Sequence, residues 1–437
     1  MTNKEQTVIN WIEENRDAEI EFLQKLIQIP SVNACFIDKD EWKHEGDSQR
    51  FVAQKMKELG AEIDMWEPDA EELGKKYEGH PGFFKHHKFV DRPNLAATIK
   101  GEGDGRSILL MGHIDVVSPG SGWKYDPFSA KIVDGKMYGR GTVDMKGGIA
   151  AMIMALEAIQ KAGVKLKGDA SVGTIVDEES GGMGTLAFCA KGYHADAGIM
   201  TEATENKIAP MCRGILWGTL NIQGRSGHIE LPSEDWREGG SVDAIKKARI
   251  YLDAFDRLNE DWSKRKRHPL LKTPCQLFVA TMKAGEYCST FANSASMDFD
   301  VQFLPSERDE LGGGKIVMKE IEDYVAAIAQ TDPWLKENPP TITWVTNADC
   351  GEVPEGHPFV KVCEECFEEQ GYPVEKEGCY FHTDTGWPER TGTPMINLGP
   401  GDPRVAHQDN ENVSLDNYIE CIKKIAGIVM RWCGTVE

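Results

Sequence analysis

Short apolar runs that each stop at a histidine or an acid constrain this chain most. Ile108-Leu109-Leu110-Met111-Gly112-His113-Ile114-Asp115 reads as a buried strand delivering His113 and Asp115. Ser171 to Val176 runs into Asp177-Glu178-Glu179-Ser180-Gly181-Gly182, and Ala197-Gly198-Ile199-Met200-Thr201 ends at Glu202. Between them lies Tyr138-Gly139-Arg140-Gly141-Thr142-Val143-Asp144-Met145-Lys146-Gly147-Gly148, and far downstream Gly399-Pro400-Gly401 precedes Ala406-His407. Open parallel sheets bind ligands beyond the carboxyl ends of their strands. Scattered surface acids would not fall at strand ends repeatedly. Two histidines with several carboxylates make a zinc ligand set, and two such ions about 3.5–4 Å apart can share a carboxylate.

The periodicity predicts an α/β fold with a mainly parallel, helix-flanked sheet. Residues 9–29 show helical spacing that Pro30 stops, and 49–59 form a second helix closed by Gly60. Residues 69–91 form a polar and aromatic excursion, whose His80, His86 and His87 read as solvated loop residues, with a reach into the site as the alternative. Residues 148–162 are apolar nearly all round, so they predict a buried helix. The pattern changes near Arg213. Strands at 217–223 and 297–303 and helices at 242–258 and 316–328 read as an inserted smaller α/β domain. The expected boundaries are 1–213 and 348–437 for the catalytic domain and 214–347 for the insertion.

At 437 residues the chain exceeds one typical core. A net charge of −22 argues against nucleic acid, whose binding needs phosphate-neutralising lysine and arginine. The polar start Met1-Thr2-Asn3-Lys4 predicts no export signal, and no apolar run reaches the ~18 residues that span a membrane. Eleven scattered cysteines then read as reduced thiols of a cytoplasmic protein. Cys363 and Cys366 fall in a helical run and read as core. The glycines near 139–148 do not fit a dinucleotide fingerprint, and Gly312-Gly313-Gly314-Lys315 lacks the first glycine of a P-loop. The basic run 264–268 reads as a solvated helix end, with an anion-binding rim as the sharper alternative.

Residues two apart on a strand share a face, so Asp115 is expected to hydrogen-bond the His113 nitrogen that does not touch metal. The side chains of Glu178 and Glu179 diverge, so one can ligate while the other serves as general base. With these motifs the chain resembles the dinuclear zinc deacylases and peptidases, which include acetylornithine deacetylase, succinyl-diaminopimelate desuccinylase, aminoacylase and glutamate carboxypeptidases. The resemblance runs from Ile29-Pro30-Ser31 to His407 and Glu411.

That resemblance implies two Zn2+ ions, replaceable by Co2+ or Mn2+. His113 and Glu202 hold one, Glu179 and His407 the other, and Asp144 bridges them. Glu178 is the base, and a cis peptide follows Asp144. Gly224-Arg225-Ser226-Gly227-His228 resembles the family's insertion-domain histidine motif. It implies a homodimer in which His228 crosses the interface to stabilise an oxyanion. Gly214 and Gly351, near the domain crossings, are candidate hinges. Arg213, Asn293 and Gly401 are candidate substrate contacts.

One departure concerns the substrate. Relatives often carry Asn-x-Ile-Pro and then Asp-x-Arg, whereas this chain has Phe291-Ala292-Asn293-Ser294-Ala295 and Asp300-Val301-Gln302. A neutral glutamine cannot replace an arginine fork on a carboxylate. Either the leaving side binds without that fork, or Arg213 or Arg404 supplies another. The expected reaction is metal-dependent deacylation of an N-acyl amino acid or amine by a zinc-activated water. A dipeptidase or carboxypeptidase on the same metals is the alternative enzyme, and a silent relative used as a binding protein is the alternative class.

Overall fold

Ile108–His113, buried along its whole length, lies inside a six-stranded sheet. In spatial order the strands are Glu62–Trp66, Asn94–Ile99, Ala170–Ile175, Ile108–His113, Ala197–Met200 and Met395–Asn397. The last four run parallel, while Asn94–Ile99 pairs antiparallel with both of its neighbours. The sheet is therefore mainly parallel, with one reversed strand next to its edge. The register places His113 beside Ile175 and Met111 beside Met200. Three adjacent strands thus end abreast, and the residues that follow them enter one space.

This computed structural model describes residues 1–36 and 40–437. They divide into two units. The first is Met1–Cys212, Gly351–Cys379 and Thr383–Glu437, and the second is Arg213–Cys350 and Tyr380–His382. Arg213 therefore belongs to the smaller unit. The three-residue return at 380–382 has no separate signature in the sequence.

In the first unit the helix Lys146–Lys161 is buried nearly all round and packs against the C-terminal helix Leu415–Cys433. A Cβ on Gly148 would lie 1.9 Å from the Thr201 carbonyl oxygen, so only glycine lets this helix start against the strand end. The expected single helix at 9–29 is two, Asn3–Glu14 and Arg16–Ile27. They meet at Asn15, whose φ of −110° and ψ of 16° leave the helical region. Thr2 and Glu5 close a capping box at the first start. Cys363 and Cys366 are buried in the helix Pro358–Glu369.

The second unit is a four-stranded antiparallel sheet in the order Thr341–Ala348, Gly214–Gln223, Ser294–Phe303 and Leu277–Ala284. It carries the helices Ala244–Arg265 and Lys315–Ala329. Sequence periodicity finds both helices and the two inner strands. The strand Leu277–Ala284 escapes because most of it is exposed, so no apolar alternation marks it. Lys266 is not solvated as its basic run suggests; it is buried and paired with Glu307 and Glu320. No helix among the described residues is long and apolar enough to cross a membrane.

Candidate metal centre

Five side chains from the ends of the parallel strands and two distant loops meet in the first unit. Asp144 Oδ1 lies 3.0 Å from His113 Nε2, and Asp144 Oδ2 lies 3.0 Å from His407 Nε2. Glu202 Oε1 sits 3.6 Å from His113 Nε2, and Glu179 Oε2 sits 3.1 Å from His407 Nε2. One histidine–glutamate pair thus flanks each oxygen of a shared aspartate. The Glu178 carboxylate stands beside them, 3.8 Å from His113 Nε2. The peptide Asp144–Met145 is cis. His407 has a left-handed φ of 59°, a sparsely populated conformation for a residue with a Cβ.

The electrostatics call for cations. Hydrogen bonds to Asp144 and Glu179 push the His407 imidazole up to about 11. Burial would lower His113, but the charges of Glu178, Asp144 and Glu202 outweigh it and raise its pKa well above the usual value. Burial drives Glu202 far above the carboxylate range against the pull of His113. Asp144, although buried, is held far below that range by the two histidines. Glu179 Oε1 is buried without a hydrogen-bond partner, which is costly unless something positive meets it. Two imidazoles and three carboxylates with an orphaned oxygen fit a pair of divalent ions.

The Asp115 expectation needs correction. The His113 Nδ1 pairs with the Asp115 backbone carbonyl at 2.8 Å, while the nearer carboxylate oxygen is 3.7 Å away. The backbone carbonyl still fixes the tautomer, leaving Nε2 for metal. The Asp115 carboxylate accepts instead from the backbone N–H of Glu178 at 3.4 Å and of Glu179 at 3.2 Å, and from Asn33 at 2.7 Å. It holds the loop that carries both glutamates.

Sequence reasoning missed the outer supports. Glu411 accepts from the backbone N–H of Val143 at 2.8 Å and of Asp144 at 3.2 Å, and binds Arg140 at 2.6 Å. Arg92, buried, bridges Glu45 at 2.6 Å and Asp177 at 2.9 Å. The position of Glu411 four residues after His407 was the one available signal. Nothing local marks Asn33 or Arg92.

Gly401 lies in this unit with a φ of 95°, its N–H donated to Asn417 at 2.7 Å. His228, Asn293 and Arg213 lie in the second unit. His228 and Asn293 are exposed there. Arg213 is buried, and its guanidinium donates to Gln302 Oε1 at 2.7 Å, to Thr273 and to the Pro274 carbonyl. These bonds commit both terminal nitrogens, while Nε is buried without a hydrogen-bond partner. Arg404 is exposed and paired with Asp402 at 2.7 Å.

A centre of this kind, at the carboxyl edge of a parallel sheet, defines a metal-dependent hydrolase. The model of Peptidase family M20/M25/M40 matches residues 109–431, and the chain belongs to that family of amide-hydrolysing enzymes. It is 31% identical over 412 residues to an N-formyl-4-amino-5-aminomethyl-2-methylpyrimidine deformylase of Bacillus subtilis, covering 88% of this chain and 89% of that one. A deformylase of the same name from Halalkalibacterium halodurans is 24% identical over 441 residues, covering 97% and 96%. The M20 family metallo-carboxypeptidase Sso-CP2 of Sulfolobus solfataricus shares the fold. Its TM-score is 0.71 at 17% identity, covering 94% of this chain and 98% of that one.

Proposed function

We propose that the protein deformylates an N-formyl amine whose leaving amine carries no α-carboxylate. The observation that carries this reading is the Arg213–Gln302 pair. The position where relatives often place an arginine holds a neutral glutamine, and the two terminal nitrogens of the nearby guanidinium donate to it and to backbone carbonyls. The two deformylases that match this chain over most of its length support the same substrate class.

In this reading His113 and Glu202 would hold one zinc and His407 and Glu179 the other, with Asp144 placed to serve both. When bound, the metal pair supplies an acidified water and polarises the substrate carbonyl. Glu178, close to His113 yet outside the two pairs, accepts the proton of the attacking water and returns it to the leaving amine. Asp115 keeps Glu178 in reach by fixing its backbone. We further propose a cytoplasmic homodimer formed through the inserted unit, with His228 of the partner subunit stabilising the oxyanion.

The test is a panel that pairs each N-formyl or N-acetyl amino acid with its decarboxylated amine. The reading expects kcat/KM at least as high for the amine of each pair, and higher for formyl than for acetyl. A preference for the acids by orders of magnitude would overturn it.

A further inference from the structure

Among the described residues, a cluster of side chains that could hold a metal lies outside the catalytic set. A thiol, an imidazole nitrogen and a carboxylate oxygen, from Cys35, His87 and Asp177, all lie within 4.8 Å of one another. They come from three separate segments: the loop after the first helical pair, the 69–91 excursion and the turn before Glu178. His87 was expected in a solvated loop, but it is half-buried and its Nδ1 pairs with Asp177 Oδ2 at 2.7 Å.

The arrangement is already organised. Asp177 is fully buried and holds a left-handed φ of 74°. Its Oδ1 takes hydrogen bonds from Arg92 at 2.9 Å and Ser180 at 2.8 Å, which fixes the carboxylate and leaves Oδ2 facing His87. The His87 ring is stacked on Phe84, with centroids 4.6 Å apart and planes 12° apart. Cys35 is exposed, so an ion can reach it. A tetrahedral ion holds such donors at about 2.0–2.3 Å and so needs them roughly 3–4 Å from each other. The three donors, all within 4.8 Å of one another, lie close to that spacing.

We propose that Cys35, His87 and Asp177 form a mononuclear site for a thiophilic divalent cation, foremost Zn2+, with solvent as the fourth ligand. Thiolate with imidazole selects zinc or cobalt over magnesium and calcium. Binding displaces the thiol proton. The Arg92 charge on the far oxygen of Asp177 weakens the site relative to the catalytic pair, so it fills after that pair.

Cobalt reads this site by colour. A thiolate ligand gives Co2+ an intense near-ultraviolet charge-transfer band, and none of the residues assigned to the catalytic pair is a thiol. Titrating Co2+ into zinc-loaded protein should raise that band to saturation at one equivalent per chain. The band should vanish in Cys35→Ser and need at least tenfold more cobalt in His87→Ala. Cys35 is exposed and bears no catalytic role, so its variant should keep wild-type activity and serve as the folding control. No band in the wild-type protein, or a titration unchanged in either variant, would overturn the proposal.

Discussion

The Asp115 carboxylate lies under the backbone N–H of Glu179, 3.2 Å from its nitrogen, and so sets the turn on which Glu178 and Glu179 stand. Asp115→Ala leaves the amides of both glutamates and the Asn33 side chain without that acceptor. Groups that orient metal ligands are typically worth 10–100-fold in affinity. We expect a loss of that size in metal affinity, with kcat reduced even at saturating metal. Equilibrium dialysis and steady-state kinetics check both. Unchanged metal affinity would reduce Asp115 to a bystander.

Glu178 and Glu179 have different surroundings, and their variants should differ accordingly. Glu178→Gln keeps the size but cannot accept a proton, so kcat should fall about 10²–10⁴-fold with both metals retained. Glu179→Gln should lose metal first. Metal analysis beside kinetics separates the two, and metal loss in Glu178→Gln would exchange their roles.

Glu411 ties two backbone amides and Arg140 together in a fully buried place. Glu411→Leu leaves an unpaired guanidinium in the core. Removing one partner of a buried pair typically costs about 3–5 kcal/mol. Denaturant unfolding should show a loss of that order. A loss below about 1 kcal/mol would mean that water reaches Arg140.

Glu19 gives a pH dependence remote from the metals. Burial, reinforced by Glu157 and opposed by Lys55, raises its carboxyl from 4.5 to about 8. Both of its oxygens lack hydrogen-bond partners. Between these values the folded chain holds a proton that the unfolded chain has released, so stability falls as pH rises. The contribution is fully present below about 4.5 and lost as pH passes about 8. Glu19→Gln should flatten the fall in unfolding free energy between pH 5 and 8 and be the more stable protein at pH 8. Parallel profiles for the two proteins would show that Glu19 titrates normally.

Much of this was legible because the strands and the side chains at their ends share one signal. An apolar run ending in His113, Glu178-Glu179 or Glu202 marks both a buried strand and what its end delivers. The role of Asp115 was misread because alternation predicts the face of a side chain but not whether carbonyl or carboxylate meets the ring. Asn33 and Arg92 were invisible, since long-range pairing leaves no local period. The break at Asn15 was hidden because the helices on either side bury the same face. The exposed strand Leu277–Ala284 shows the same limit from the other side. Its pairing rests on backbone hydrogen bonds that any sequence can make.

In the proposed centre Asp144 would serve both ions. Metal content per folded chain, measured by mass spectrometry after gel filtration, tests it directly. Wild-type protein should carry two divalent ions, His113→Ala one, and Asp144→Ala substantially fewer than one, with all three folded by circular dichroism. Two ions retained in Asp144→Ala would contradict the account.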